Sequence, residues 1–134
     1  MVIITEAPIS PESIVTRAKT DQSGCVVTYV GLIRESSRGK PVLSVEYRDP
    51  RGRAGKELGE IVKTAQQRWP VANIVICHRT GSLKVGDINL VVAVASAHRK
   101  EGFAACGYIV DQFKERLPTH KIETYQDGTT FTQG

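Results

Sequence analysis

Apolar and polar residues follow one another along this chain in blocks that have the lengths of strands and helices. The run from Leu90 to Ala95 is apolar, short and rich in β-branched residues, as expected of a buried strand. After the polar segment 96–99, apolar residues recur at steps of three and four, which predicts one face of an amphipathic helix: Phe103, Cys106, Val110, Phe113 and Leu117. Pro118 ends this helix, because the residue before a proline is pushed out of the α region.

The same patterns predict the remaining elements. Strands are expected at 25–34, 42–47, 73–78, 88–95 and 121–125, and the strands at 73–78 and 88–95 are expected to form a hairpin. A first helix begins at Ser10, which has the composition of an N-cap followed by proline and an acid. A second helix is marked by Leu58, Ile61, Val62, Ala65 and Trp69 and is closed by Pro70. The Asp127-Gly128 pair predicts a final hairpin.

From Val42 onward the order is strand, helix, strand, strand, helix, strand. That order favours an α+β fold, in which helices pack on one face of a mainly antiparallel sheet. The length of 134 residues fits a single domain spanning 1–134. No apolar run approaches the roughly 20 residues of a membrane helix, and the N-terminus lacks the features of a signal peptide, so we expect a cytoplasmic protein that does not bind membranes.

The formal net charge of +4 favours anionic partners in a general way. One hypothesis is therefore a non-catalytic module that binds anions or RNA. The few aromatic residues fall mostly at predicted core positions, so no stacking platform for bases is evident, and we expect no nucleic-acid partner.

The three cysteines are far apart and form no CxxC pair, so neither a disulfide framework nor a zinc site is indicated, and we expect no metal ion and no cofactor. Cys25 and Cys77 fall in predicted strands, and Cys106 falls on the apolar helix face, where free cysteines are often buried. The alternative is a catalytic persulfide, which would require an exposed cysteine in electropositive surroundings. Cys106 is the one cysteine in the cationic stretch, and it is predicted to point at the core.

Cationic residues bracket the predicted helix at 99–117. His98 and Arg99 lie at its start, where backbone N–H groups and a guanidinium can bind an anion; the alternative is a solvated arginine and a histidine that caps a turn. Lys114 lies in its last turn and Lys121 just beyond it; each alone could be a surface residue. Together with Arg34 they predict a scaffold that gathers positive groups around one anionic ligand, and a partly desolvated lysine there could act in nucleophilic or acid-base chemistry.

Several spaced motifs resemble the large, catalytic subunit family of molybdopterin synthase. The resemblance runs from about residue 29 to 123 and includes Gly31-Leu32-Ile33-Arg34, Arg68-Trp69-Pro70, His78-Arg79-Thr80-Gly81-Ser82-Leu83 with Gly86-Asp87, Ser96-Ala97-His98-Arg99, and Lys114 with Pro118, Lys121 and Glu123.

This resemblance implies a hammerhead-like α/β fold and a homodimer within a heterotetramer, in which each subunit binds a small ubiquitin-like sulfur carrier with a C-terminal Gly-Gly thiocarboxylate. The implied activity is that of a sulfurtransferase, which passes sulfur to cyclic pyranopterin monophosphate to form the molybdopterin dithiolene in molybdenum cofactor biosynthesis. Lys114 and Lys121 would be the catalytic pair. The implied substrate-binding residues are Leu32, Ile33, Arg34, His98, Arg99, Ile122 and Glu123.

The chain departs from that family at three places. His120 replaces an aromatic residue, often tryptophan, before the second lysine, and the segment 47–54 replaces a more acidic, methionine-containing pattern. Family members also tend to run further and to place a basic residue in the neighbouring subunit's pocket, whereas this sequence stops at Gly134. Because it lacks a Gly-Gly tail, we do not expect the chain to be the sulfur carrier.

Overall fold

A computed structural model of the protein describes residues 1–133. Gly134 lies outside the described residues, and with it the last position of the sequence that was compared with a Gly-Gly carrier tail. The helices are Pro11–Ala18 (α1), Ala54–Arg68 (α2) and Arg99–Glu115 (α3). The strands are Val2–Thr5 (β1), Cys25–Leu32 (β2), Ser36–Ser37 (β3), Lys40–Arg48 (β4), Asn73–Arg79 (β5), Gly81–Lys84 (β6), Ile88–Ser96 (β7), His120–Tyr125 (β8) and Thr130–Gln133 (β9). Within this part of the chain, no helix is both long enough and apolar enough to cross a membrane.

Two sheets form the framework of the molecule. The first has the strand order β1-β5-β7-β2, and the second has the order β3-β4-β8-β9, with β6 also paired to β4. Among the described strands, β1 and β5 are parallel and the other pairs are antiparallel. The prediction of an α+β domain with mainly antiparallel pairing is therefore confirmed, although the strands are divided between two sheets.

The predicted pairing of the strands at 73–78 and 88–95 is also confirmed, because β5 and β7 are antiparallel neighbours. Their connection contains a strand that the sequence did not predict: β6 leaves the first sheet and pairs with β4 of the second. Leu83 of β6 is fully buried in the apolar cluster of the second sheet, beside Val45 and Tyr125. The pairing of β6 with β4 therefore connects the second sheet to the first.

The helices lie on both faces of the first sheet, so the prediction that they share one face was wrong. Ile74 and Ile76 of β5 pack in one cluster with α2 and α3, whereas Val75 and Cys77 pack in another with α1. Because successive side chains of a strand point to opposite faces, these two clusters are on opposite sides of the sheet. The first sheet is consequently buried between α1 on one side and α2 and α3 on the other.

Helix α3 has nearly the predicted extent, but its buried face differs from the predicted one. That face consists of Gly102, Ala105, Cys106, Ile109 and Phe113. Phe103 is 63% exposed, so its assignment to the core was wrong. A Cβ atom at Gly102 would lie 3.0 Å from Cγ2 of Val27, so the glycine allows α3 to approach β2 closely and leaves Phe103 on the outer side.

The predicted helix start and final hairpin are present. Ser10 caps α1, since its hydroxyl oxygen accepts a hydrogen bond from the backbone N–H of Ser13 at 3.3 Å. Gly128 lies in the turn between β8 and β9 with a φ of 86°, a left-handed conformation that favours glycine. This hairpin holds β8 in place beside β4, and β8 carries one of the two predicted catalytic lysines.

Candidate functional site

A cavity of about 630 Å³ opens where the C-terminal end of α3 meets the two sheets. Its volume lies in the range typical of small-molecule sites. Six predicted site residues line it together: Leu32, Ile33, Arg34, Lys114, Lys121 and Glu123. They come from the end of β2 and the loop after it, the last turn of α3, and the strand β8.

The two lysines reach this cavity from different elements. Lys114 is exposed in the last turn of α3, and Lys121 is half-buried near the start of β8, opposite Tyr47 of β4. Among residues 1–133, neither lysine forms a salt bridge, and neither does Arg34. Three cations without an acidic partner in the described chain therefore border one cavity and can interact with an anionic ligand.

Glu123 is the acidic residue of the cavity, and it is 6% exposed. Its Oε1 atom accepts hydrogen bonds from the hydroxyl of Ser37 at 3.0 Å and from that of Tyr125 at 3.1 Å. These bonds connect β8 to the short strand β3. Glu123 therefore holds one wall of the cavity in place through two hydroxyl groups.

Among the polar residues of the cavity wall that were not predicted from the sequence, Asn89 and Tyr47 form a hydrogen bond with each other. Asn89 donates a hydrogen bond through Nδ2 to the phenol oxygen of Tyr47 at 2.9 Å, which connects β7 with β4. Burial raises the pKa of Tyr47; the bond from Asn89 opposes the rise and the charge of Glu123 adds to it. A signal for Asn89 was present, because it is the polar residue in the otherwise apolar run at 88–95.

A fully buried histidine lies directly behind this wall. His78 Nδ1 is 2.9 Å from the carbonyl oxygen of Asn89, and its Nε2 is 3.0 Å from the hydroxyl of Thr119. A carbonyl oxygen only accepts, so Nδ1 donates, and Nε2 of the neutral ring accepts from the hydroxyl of Thr119. Burial lowers the pKa of His78, although the bond to Asn89 and the charge of Asp49 oppose this effect. The ring is therefore held in its neutral form.

His98 and Arg99 lie elsewhere in the chain's structure. They line a second cavity, of about 730 Å³, together with Gly24, Cys25, Ala97, Lys100 and Phe103. Arg99 begins α3 and Lys114 lies in its last turn, so a helical rise of 1.5 Å per residue separates them by about 22 Å. The prediction that this helix gathers both cationic groups around one ligand is wrong within a single chain.

The predicted site residue Ile122, and His120, which departs from the family pattern, are not in the lining of the first cavity. Ile122 is between Lys121 and Glu123 on β8, and because side chains alternate along a strand, it points to the opposite face. His120 is exposed and lines a smaller cavity of about 300 Å³ with Asp49, Pro50, Arg51, Arg53, Glu57, Leu117, Pro118 and Thr119.

The cysteines differ in their surroundings. Burial raises the pKa of Cys77, and it raises that of Cys106 to about 11 despite a hydrogen bond to the backbone of Tyr29. Neither thiol is suited to nucleophilic chemistry. Cys25 is half-buried and lines the second cavity with Arg99, so the fold brings a cysteine from outside the cationic stretch of sequence to the cations at its start. Between residues 1 and 133 there is no group of three or more metal-ligating side chains placed to hold an ion.

Comparisons with known proteins identify the family. The family model described as MoaE protein matches residues 4–116. The molybdopterin synthase catalytic subunit of Nostoc sp. is 41% identical over 128 residues, which cover 95% of this chain and 78% of that protein. The crystal structure of molybdopterin synthase from Staphylococcus aureus has a TM-score of 0.90 at 32% identity and covers 98% of this chain and 96% of its own.

A more distant structure shares the fold alone. A protein–protein complex of subunits 1 and 2 of molybdopterin-converting factor from Helicobacter pylori contains a chain with a TM-score of 0.77 at 12% identity, covering 97% of this chain and 88% of that one. The resemblance drawn from the spaced motifs is confirmed by these matches. The chain belongs to the MoaE protein family, which is the family of the molybdopterin synthase catalytic subunits.

Proposed function

We propose that the cavity bordered by Lys114 and Lys121 transfers sulfur from the thiocarboxylated C-terminus of a small ubiquitin-like carrier to cyclic pyranopterin monophosphate. The observation that carries this proposal is the meeting of the two lysines and Arg34 at one cavity, without acidic partners among residues 1–133. The substrate bears a phosphate and the sulfur donor is an anion, so both reactants are attracted to the same cations.

The lysines fit the charge changes of such a transfer. The sulfur of the thiocarboxylate forms a bond to a substrate carbon, and an oxygen leaves that carbon with its electron pair. Lys114 or Lys121 donates a proton to the leaving oxygen, and the other ammonium stabilises the negative charge that develops. Water then cleaves the resulting thioester, which leaves a thiol on the substrate and a carboxylate on the carrier.

The other residues of the cavity would position the substrate. Arg34, exposed in the loop after β2, would bind the phosphate through its planar fork of donors. The backbone of Leu32 and Ile33 would lie along the bound substrate. Glu123, fixed by Ser37 and Tyr125, would keep the cavity open beside Lys121.

Reconstitution with the thiocarboxylated carrier and cyclic pyranopterin monophosphate tests this proposal, with molybdopterin detected as its oxidised fluorescent derivative. Lys114→Ala and Lys121→Ala should each reduce the rate by roughly 10²- to 10⁴-fold, as expected for the loss of an acid or of charge stabilisation. Lys63→Ala removes an exposed cation of α2 and should leave the rate unchanged. If both cavity variants keep rates within a few fold of Lys63→Ala, the lysines are not catalytic.

A homodimer would bring the residues of the second cavity to the first. Since about 22 Å of helix separates Arg99 from Lys114, His98 and Arg99 can contact the same substrate only if a second copy brings them to the first cavity. Association with a different, second kind of subunit is suggested by the complex of subunits 1 and 2 of molybdopterin-converting factor from Helicobacter pylori, which contains a chain of this fold. We therefore infer that each complete site combines the two lysines of one copy with the His98-Arg99 pair of the other.

Mixing two inactive variants tests this arrangement. In a mixed dimer of Lys114→Ala and Arg99→Ala copies, one of the two sites has all of its residues, so a random mixture should recover about a quarter of the wild-type activity. Each variant alone should be inactive. If verified subunit exchange restores no activity, the two groups do not form a shared site.

A cytoplasmic location is also part of the proposal, and the free thiols of Cys25, Cys77 and Cys106 suit a reducing compartment. An RNA-binding module is not favoured, because Tyr47 and Tyr125 are buried and Trp69 packs against Tyr108 with ring centroids 5.4 Å apart. These rings do not form an open stacking surface.

A further inference from the structure

We propose that His78 is a positioning residue for the two-lysine site and that it acts through its hydrogen bond to Thr119. This role rests on the function proposed above for Lys114 and Lys121. His78 itself is fully buried and lines no part of the cavity, so it acts on its neighbours rather than on the substrate.

His78 contacts residues that are close in sequence to both lysines. Its ring packs edge-on against Phe113, with centroids 5.0 Å apart, and Phe113 directly precedes Lys114. Its Nε2 accepts from the hydroxyl of Thr119, which lies two residues before Lys121. One side chain thus contacts the residue before Lys114 on α3 and the residue that precedes β8.

The other contacts of His78 fix it to both sheets. Its Nδ1 donates to the carbonyl oxygen of Asn89 on β7, and its ring packs edge-on against Tyr47, again with centroids 5.0 Å apart. Tyr47 is also the register partner of Lys121 across β4 and β8. The ring therefore joins the first sheet, the second sheet and α3 at one point behind the cavity.

The segment at 116–119 is the connection whose position depends most directly on this bond. It joins α3 to β8, and therefore joins the two lysines along the chain. Thr119 is 2% exposed, so its hydroxyl is removed from water and donates its hydrogen bond to Nε2 of His78. An apolar side chain could fill the space of the imidazole, but it could not fix the hydroxyl, and with it the start of β8, in one place.

Two substitutions of Thr119 distinguish an effect on the position of the lysines from an effect on the stability of the fold. Thr119→Val removes the hydroxyl and keeps the shape, whereas Thr119→Ser keeps the hydroxyl. Because small misplacements of reacting groups are costly, Thr119→Val should lower kcat roughly 10- to 100-fold with the KM for the pterin substrate changed less than about threefold. Thr119→Ser should keep kcat within about threefold of wild type.

Val75→Ala provides the matched control. Val75 is buried on the opposite face of β5 from His78, in the cluster beneath α1, so its truncation lowers the unfolding temperature without touching the cavity. Val75→Ala should keep the wild-type kcat at a temperature where both variants are folded.

Two results would overturn the positioning role: a Thr119→Val enzyme with the kcat of Val75→Ala, or a Thr119→Ser enzyme as slow as Thr119→Val. Failure of the underlying function is recognised separately, in the Lys114→Ala variant. If this variant turns over as fast as the wild type, the proposed function is overturned, and the role of His78 with it.

Discussion

Lowering the pH should destabilise the protein through His78. The folded chain holds this ring neutral, because burial lowers its pKa below the ordinary value of 6.5. In the unfolded chain the ring regains its ordinary pKa, so below pH 6.5 the unfolded state binds a proton that the folded state does not bind. The free energy of unfolding therefore falls as the pH drops below 6.5, until the lower pKa of the folded state is reached; above pH 6.5 the histidine contributes no pH dependence.

The size of this effect follows from one proton of difference. Such a difference changes the free energy of unfolding by at most about 1.4 kcal/mol per pH unit. Between pH 7 and pH 5 the loss therefore reaches about 2 kcal/mol if the buried ring stays neutral. For 134 residues, the unfolding entropy is roughly 0.28 kcal/mol per kelvin, so the drop in the unfolding temperature should be at most about 7 °C.

Urea unfolding of the wild type and of His78→Gln at pH 5, 6 and 7 measures this contribution. Carboxylates also titrate in this range, so the quantity to compare is the slope of stability against pH. The slope of the wild type should exceed that of His78→Gln by up to about 1.4 kcal/mol per pH unit, which corresponds to one proton. His120→Gln, which removes an exposed histidine, is the control for the substitution itself. Equal slopes for wild type and His78→Gln would refute the reasoning.

Other predictions concern packing and thiol reactivity. Gly102→Ala should lower stability by about 1–3 kcal/mol, because its methyl group would meet a valine methyl 3.0 Å away; Gly107→Ala, which has open space around it in the same helix, should raise stability by about 0.5–1 kcal/mol. Urea titrations that give both changes the same sign would contradict this contrast. In the native protein Cys25 should react with a disulfide reagent well before Cys77 and Cys106, because those two are buried with raised pKa values. A fast phase that survives Cys25→Ser would show that a buried thiol is accessible.

Long periodic segments of the sequence were sufficient to predict most elements of the fold. The helix at 99–115 and the strand at 88–96 each have enough residues to show a period. β1, β3 and β6 contain two to four residues each and were not predicted. Strands this short show no period of their own, and their existence depends on the partner strand that tertiary folding supplies.

The burial of the first sheet on both faces could have been predicted. β5 and β7 contain continuous apolar runs, Ile74–Cys77 and Leu90–Ala95, rather than alternating residues. Continuous runs are typical of strands that are covered on both sides. Successive side chains of β5 and β7 therefore pack in two clusters, one on each face of the sheet. Both faces need a cover, so α1 lies on the face opposite to α2 and α3.

The first cavity was predictable only in part. Arg34, Lys114 and Lys121 were singled out as charged residues at the ends of predicted elements, and the spaced motifs of the family then gave them roles. His78 is a polar residue that follows an apolar run, and Thr119, its hydrogen-bond partner, is 41 positions further along the chain. No local pattern relates two residues so far apart, so the bond behind the cavity became visible only when the two sheets and α3 were in place.

The two cationic groups of α3 illustrate a different limit. Residues 99 and 114 are close in sequence, and that closeness favoured a single anion site in the sequence prediction. A helix converts sequence separation into axial distance, however, and 15 steps of 1.5 Å put these groups at opposite ends, about 22 Å apart. The rigid helix therefore excludes a shared site within one chain, and a shared substrate requires a second copy. For this protein the oligomer, rather than the fold of a single chain, is what would complete the proposed site.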